Sequence, residues 1–287
     1  MHKVTRSYWM LLAAALLFST GGAAIKASTL TSWQVAGFRS ALASAALLLF
    51  LPEARKGWNW RIVPVGLTSA ATLLLFVCAT KNTTSANAIF LQATGPLYIL
   101  AAGPLLLNEK VRPQHLYTGV AMILGMLLFF FDATKATALA PNPTLGNLQA
   151  ALSGATWGAT VVGLRWLSKN YAGGIAPVVL ANVLTFFVTL PLAFPVERFA
   201  FHDALILLYL GVVQIALAYV LLTKAMKEVE ALGASLILLA EPAWNPFWSW
   251  FVHGETPGAY ALVGGGIILL ASLANAICSH QSSSKFN

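Results

Sequence analysis

Charge is what this 287-residue chain has least of. Only 9% of its residues are charged and 58% are hydrophobic, whereas a soluble globular domain carries about 25% charged residues. A water-soluble protein is therefore excluded. Cysteine is nearly absent as well, and Cys78 and Cys278 are too few for a disulfide framework or a thiolate metal cluster. The five histidines, His2, His115, His202, His253 and His280, sit at the ends of apolar runs or in tails, so neither a histidine relay nor a zinc motif is available. No metal or cofactor is expected. The chain also lacks a G-x-x-x-x-G-K-[ST] loop, which excludes an ATP motor within it. The net charge of +8 does not point to nucleic acid, because the positive residues stand singly between apolar runs instead of forming a basic stripe.

What is present is length without polarity. Ten apolar stretches are punctuated by charge, Pro and Gly: roughly 8 to 26, 32 to 51, 62 to 80, 84 to 107, 114 to 131, 145 to 168, 174 to 194, 203 to 223, 230 to 252 and 258 to 279. They use about 210 residues, which leaves no room for a soluble catalytic domain. Ala41 to Leu51 and Leu116 to Phe131 are almost continuously apolar, unlike the alternation of a transmembrane barrel. An all-α integral membrane protein of ten helices is expected. The first run, although preceded by His2, Lys3 and Arg6, is read as a retained span and not as a signal peptide ending near Ala24 to Ala27, because the remainder is membrane-like throughout.

With the amino terminus inside, cytoplasmic segments hold twelve basic residues: Lys3, Arg6, Arg55, Lys56, Arg61, Lys110, Arg112, Arg165, Lys169, Lys224, Lys227 and Lys285. The opposite side holds four, Lys26, Lys81, Lys135 and Arg198, and Arg39 lies within a span. This bias places both termini in the cytoplasm of a bacterial-type inner (cell) membrane. Cys78 and Cys278 then lie near opposite faces and should not pair.

The longest polar break, Asp132 to Thr144, divides the chain into two sets of five spans. The expected units are 1–132, an external linker 133–144, and 145–287 with a short cytoplasmic tail. An offset of 146 residues matches Pro96 to Pro242, Glu109 to Glu255, Gly119 to Gly265, Ala79 to Ala225 and Lys81 to Lys227. Because five is odd, the second copy enters from the opposite side, giving the inverted repeat used by secondary transporters.

At these residues the sequence resembles the drug/metabolite transporter superfamily, specifically its EamA branch. The resemblance is carried by Trp9 through Phe18 with Ser19 and Thr20, by Phe38 and Arg39, and by Thr84 to Asn87 leading to Gly95, Pro96 and Leu97. The second half adds Trp157, Ala218 and Tyr219, Glu241 to Ala243, and Gly254 with Glu255. Within the branch the chain looks similar to the YddG-type amino-acid exporters. One departure is Asn108 before Glu109, where the family pattern has Gly. The resemblance implies a central cavity formed by spans one, three, four, six, eight and nine, and export of small metabolites.

Among the nine acidic residues, Glu241 alone falls near the middle of a span. An ionisable group at that depth costs several kcal/mol against lipid, so it faces a cavity or a polar partner. The alternative role is a structural carboxyl serving backbone freed by Pro242. By helical spacing Trp244 and Asn245 share the Glu241 face. Pro96 mirrors Pro242, with Gln92 and Tyr98 flanking Gly95, and the two prolines are candidate hinges. Trp157, Tyr219, Phe18 and Thr20 complete the expected substrate-binding set at family positions. Lys81 could meet a substrate carboxylate or simply snorkel to the interface. Trp9, Trp33, Trp58 and Trp60 suit interface anchoring. Arg39 is deep enough to need a partner, which the sequence does not name. Glu109 and Glu255, at span ends, read as capping or interfacial carboxylates.

The expected function is a secondary transporter that exports small metabolites, chiefly amino acids including aromatic or bulky apolar ones, by alternating access, as a monomer in the lipid bilayer. The alternatives are export of drug-like cations, an integral-membrane enzyme acting on lipid, and a channel. An enzyme would want acidic residues and histidines clustered at one face, and a channel a repeated filter or charged ring; the sequence has neither.

Overall fold

The computed structural model describes residues 2–107, 113–132, 137–171, 174–229 and 231–284. Lys110, Arg112, Lys135, Glu230, Lys285 and the Asn108–Glu109 departure lie outside the described residues. In chain order the helices are α1 (His2–Ser19), α2 (Gly21–Ala27), α3 (Ser32–Phe50), α4 (Ile62–Asn82), α5 (Ser85–Gln92), α6 (Gly95–Leu107) and α7 (Pro113–Asp132). The second half holds α8 (Pro143–Asn170), α9 (Ala176–Ala193), α10 (Phe201–Leu208), a π-helical stretch (Tyr209–Leu217), α11 (Ala218–Ala225), α12 (Ala231–Ile237), α13 (Ala240–His253) and α14 (Ala259–Ser284). Among the described residues there is no strand, only an isolated bridge between Thr137 and Ala140 in the linker.

Each expected apolar run falls on helix, but three of them are broken. The first breaks at Thr20, the fourth between Gln92 and Gly95, and the ninth between Ile237 and Ala240. The last two breaks have one cause. Pro96 and Pro242 carry no N–H, so the carbonyls four residues back, on Gln92 and Leu238, lose their helical donors. The chain tightens instead: the N–H of Leu97 donates to Thr94 O at 2.9 Å and that of Glu241 to Leu238 O at 2.9 Å, each only three residues back. The prolines paired by the sequence offset thus produce paired breaks in the two halves.

Among the described residues, five helical stretches are long and apolar enough to cross a membrane: Arg6–Ala27, Ser32–Phe50, Ile62–Asn82, Ala176–Ala193 and Phe201–Ala225. The broken fourth and ninth runs fall short because their pieces are 8 and 13, and 7 and 14, residues long. Helices of the two halves interleave. α4 lies against α8 and α9, α3 against α9 and the π-helical stretch, α6 against α8, and α1 against α11 and α13. The outward faces are apolar, with Phe50 81% and Phe251 72% exposed. Water would penalise so broad an apolar surface, and lipid accepts it.

Candidate functional site

Phe18 near the end of α1, Trp157 in α8 and Tyr219 at the start of α11 meet edge to face. The ring centroids lie 6.0 Å apart for Phe18 and Trp157, 5.2 Å for Phe18 and Tyr219, and 6.2 Å for Trp157 and Tyr219. This is the favoured geometry for aromatic pairs. Small residues put Trp157 there. A Cβ at Gly158 would stand 2.7 Å from the carbonyl oxygen of Gly95, and one at Gly154 3.0 Å from that of Leu91, so only glycine lets α8 press against the α5–α6 break. Trp157, between them, is held against the opened backbone.

Polar groups converge on the same space. A pocket with about 400 Å³ of empty space, its open side included, is lined by Phe18, Arg39, Thr72, Leu73, Phe76, Gln92, Trp157, Gln214, Ile215, Tyr219 and Glu241. A smaller pocket shares Gln92, Trp157 and Glu241 and reaches Pro96, Leu238, Leu239 and Pro242. Gln92 donates from Nε2 to Ser153 Oγ at 2.7 Å, which fixes its amide on the wall. Glu241, in the first turn of α13, is buried, and its carboxylate has no hydrogen-bond or ion-pair partner among the described residues. The arrangement offers an apolar and aromatic body-binding surface with polar groups of both signs at its edge.

Of the expected substrate-binding residues, Phe18, Gln92, Trp157, Tyr219 and Glu241 line this pocket, and Pro96 and Pro242 line its extension. The others lie elsewhere. Thr20 donates to Leu17 O at 2.8 Å and meets Tyr209 Oη at 2.7 Å, beside a separate, apolar hollow against Trp248 and Val252. Lys81 donates to Ser28 O at 2.7 Å at the end of α2, so its ammonium serves backbone. Tyr98 turns toward Gly158, one residue past Trp157, and does not line the pocket. Trp244 is 46% exposed and packs on Phe247. Asn245 is fully buried but occupied: it accepts from Ser85 Oγ at 2.9 Å and donates to Ser19 O at 3.0 Å. The spacing argument that grouped Trp244 with Glu241 fails because the buried residues of α13 are the i+4 series Glu241, Asn245 and Ser249 together with Pro242.

Glu255 behaves as a capping carboxylate, yet across the two halves. Its Oε1 accepts the backbone N–H of Ser85 at 2.9 Å, at the start of α5, and stands 3.7 Å from Lys26 Nζ. Sequence reasoning missed Gln214 as a wall residue, and it left Arg39 without a place. Gln214 was legible by the rule that singled out Glu241, being a polar side chain deep in an apolar run. Its setting was not, since it sits in the π-helical stretch, a local underwinding with i→i+5 hydrogen bonds that composition does not reveal.

The model of a family described as the EamA-like transporter family matches residues 5–131 and again 144–276. Pseudopaline exporters CntI from two strains of Pseudomonas aeruginosa are 24% identical over 273 residues, covering 91% of this chain and 92% of their own. An uncharacterized transporter of Clostridium kluyveri is 22% identical over 219 residues, covering 73% of this chain and 69% of its own. One crystal structure superposes with a TM-score of 0.67 at 18% identity, over 96% of this chain and 98% of the other, a likeness of fold.

Proposed function

Since the chain belongs to the EamA-like transporter family, and is therefore a multi-pass membrane transporter and not a lipid-modifying enzyme, we propose that it exports amino acids, including aromatic and bulky apolar ones. Ten crossings, with both termini in the cytoplasm of a bacterial inner membrane, complete this reading. The observation that carries it is the pocket in which the Phe18, Trp157 and Tyr219 rings meet Glu241, whose carboxylate has no partner among the described residues, between the two halves. Aromatic faces supply contact area without demanding one hydrogen-bond pattern, so a range of apolar side chains fits against them. The buried carboxylate complements an ammonium group. Alternating access follows from the paired breaks at Pro96 and Pro242, which give each half a point at which its helix can bend. The pseudopaline exporters support export of a small metabolite as the general activity.

The test is counterflow in proteoliposomes over a panel of amino acids. Transport of aromatic and branched apolar amino acids is expected, and alanine at Phe18, Trp157 or Tyr219 should change the order of preference at unchanged protein abundance. A panel with no transported amino acid refutes the substrate reading while leaving the family intact.

A further inference from the structure

Arg39 lies eight residues into α3, is 1% exposed, and forms part of the pocket wall. A guanidinium at that depth is retained only with partners, and it has five N–H donors to satisfy. The protein satisfies little of this. Nη2 donates to Leu73 O at 3.0 Å, and Nε is buried with no hydrogen-bond partner among the described residues. No carboxylate of the described residues pairs with it. Asp203 spends both its oxygens on Ser28, Thr29 and Ala200, and Glu241, on the wall of the same pocket, forms no ion pair with it. The backbone around Arg39 is pinned: Gly211 of the π-helical stretch approaches so closely that a Cβ there would stand 2.7 Å from the Arg39 carbonyl oxygen. The fork is therefore presented by a fixed support.

We propose that Arg39 is the anchor for the carboxylate of the transported molecule, so that the pocket selects amino compounds bearing a carboxylate over amines that lack one. The proposal rests on the reading of this pocket as the transport site, and it adds a residue and a selection rule to that reading. A guanidinium matches a carboxylate through parallel N–H donors, which a lysine ammonium cannot reproduce. A zwitterion satisfies Arg39 at one wall and Glu241 at another, while a simple cation satisfies Glu241 and leaves the arginine bare. The aromatic triad of Phe18, Trp157 and Tyr219 then faces the side chain.

The experiment measures binding to the purified full-length protein in detergent by ligand-induced thermal stabilisation. The probes are L-phenylalanine and L-phenylalaninamide, which keeps the ammonium and ring but has no carboxylate. The wild type should prefer the acid by roughly ten- to a hundredfold, the range of one hydrogen-bonded charge pair. Arg39→Gln should reduce that preference to about twofold or less, with the amide moving far less than the acid. Arg39→Lys keeps the charge for folding but loses the fork, and its preference should fall between the two, so the proposal stays testable if the Gln variant does not fold. A carboxylate preference equal to wild type in either folded variant overturns the role of Arg39 and leaves the amino-acid reading standing. A wild type that binds both probes equally overturns the anchor together with its selection rule and leaves the reading of the pocket as the transport site standing. If the wild type binds neither probe, the amino-acid reading falls, and the anchor falls with it.

Discussion

Asn245→Ala tests whether the polar contacts at one end of the bundle hold the two halves together. The Asn245 amide accepts a hydrogen bond from Ser85 Oγ at 2.9 Å and donates one to Ser19 O at 3.0 Å. Ser85 opens α5 in the first half, Ser19 ends α1, and Asn245 belongs to α13 in the second, so one side chain ties three elements. Neighbouring contacts point the same way: Trp248 Nε1 donates to Ser19 Oγ at 3.0 Å, and Glu255 caps Ser85. Each neutral hydrogen bond is worth about 1 kcal/mol net, and each group left buried without a partner costs about 1–3 kcal/mol. Alanine removes two bonds and strands the Ser85 hydroxyl and the Ser19 carbonyl, a penalty of roughly 2–4 kcal/mol on the arrangement in which these elements touch. If an alternative arrangement separates them, its population rises by roughly thirty- to a thousandfold. Ala23, 4% exposed in α2 beside His253, reports the change. With Cys78 and Cys278 replaced, a cysteine at Ala23 should react with an impermeant thiol reagent far faster in the Asn245→Ala background. An unchanged labelling rate in a protein that still elutes as a folded monodisperse species refutes the reasoning.

Two further outcomes are expected. Glu241→Gln should weaken binding of every amine substrate by about tenfold or more, as loss of a charge-assisted contact requires. Loss of pH-gradient-driven accumulation with exchange intact would assign proton coupling instead, and wild-type behaviour in both assays would remove Glu241 from the site. A single cysteine placed at Pro141, in the linker between the halves, should be modified by an impermeant reagent in intact cells, and modification only after permeabilisation would overturn the orientation.

The sequence made helices legible because a membrane span needs about 20 apolar residues, and composition reports that directly. The proline pair made the breaks legible, since a missing N–H acts the same way in any helix. The meeting of the three aromatic rings was expected only through family positions; periodicity cannot bring together Phe18, Trp157 and Tyr219 from three distant helices. Asn245, Thr20 and Lys81 show the complementary failure. Each is a polar group at a depth that demands a partner, and sequence cannot tell whether that partner is cargo or backbone. Here the partner is backbone, in whole or in part: Ser19 O for Asn245, Leu17 O for Thr20 and Ser28 O for Lys81.

That distinction gives a rule for reading the remaining polar side chains within the bundle. Where a helix breaks, its freed carbonyls and short turns recruit nearby donors, and those donors are lost to the substrate. Thr20 and Asn245 sit at such a place, the break between α1 and α2, and are consumed by it. Glu241 sits at a break as well, but a carboxylate without a proton has no donor to give a freed carbonyl. Arg39 has donors in excess of the one carbonyl it meets. These two residues keep binding capacity that the backbone has not absorbed, and both face the same pocket. The hydrogen-bond inventory therefore separates polar groups already committed to the backbone from those with capacity left over, in a way that depth in the membrane alone does not.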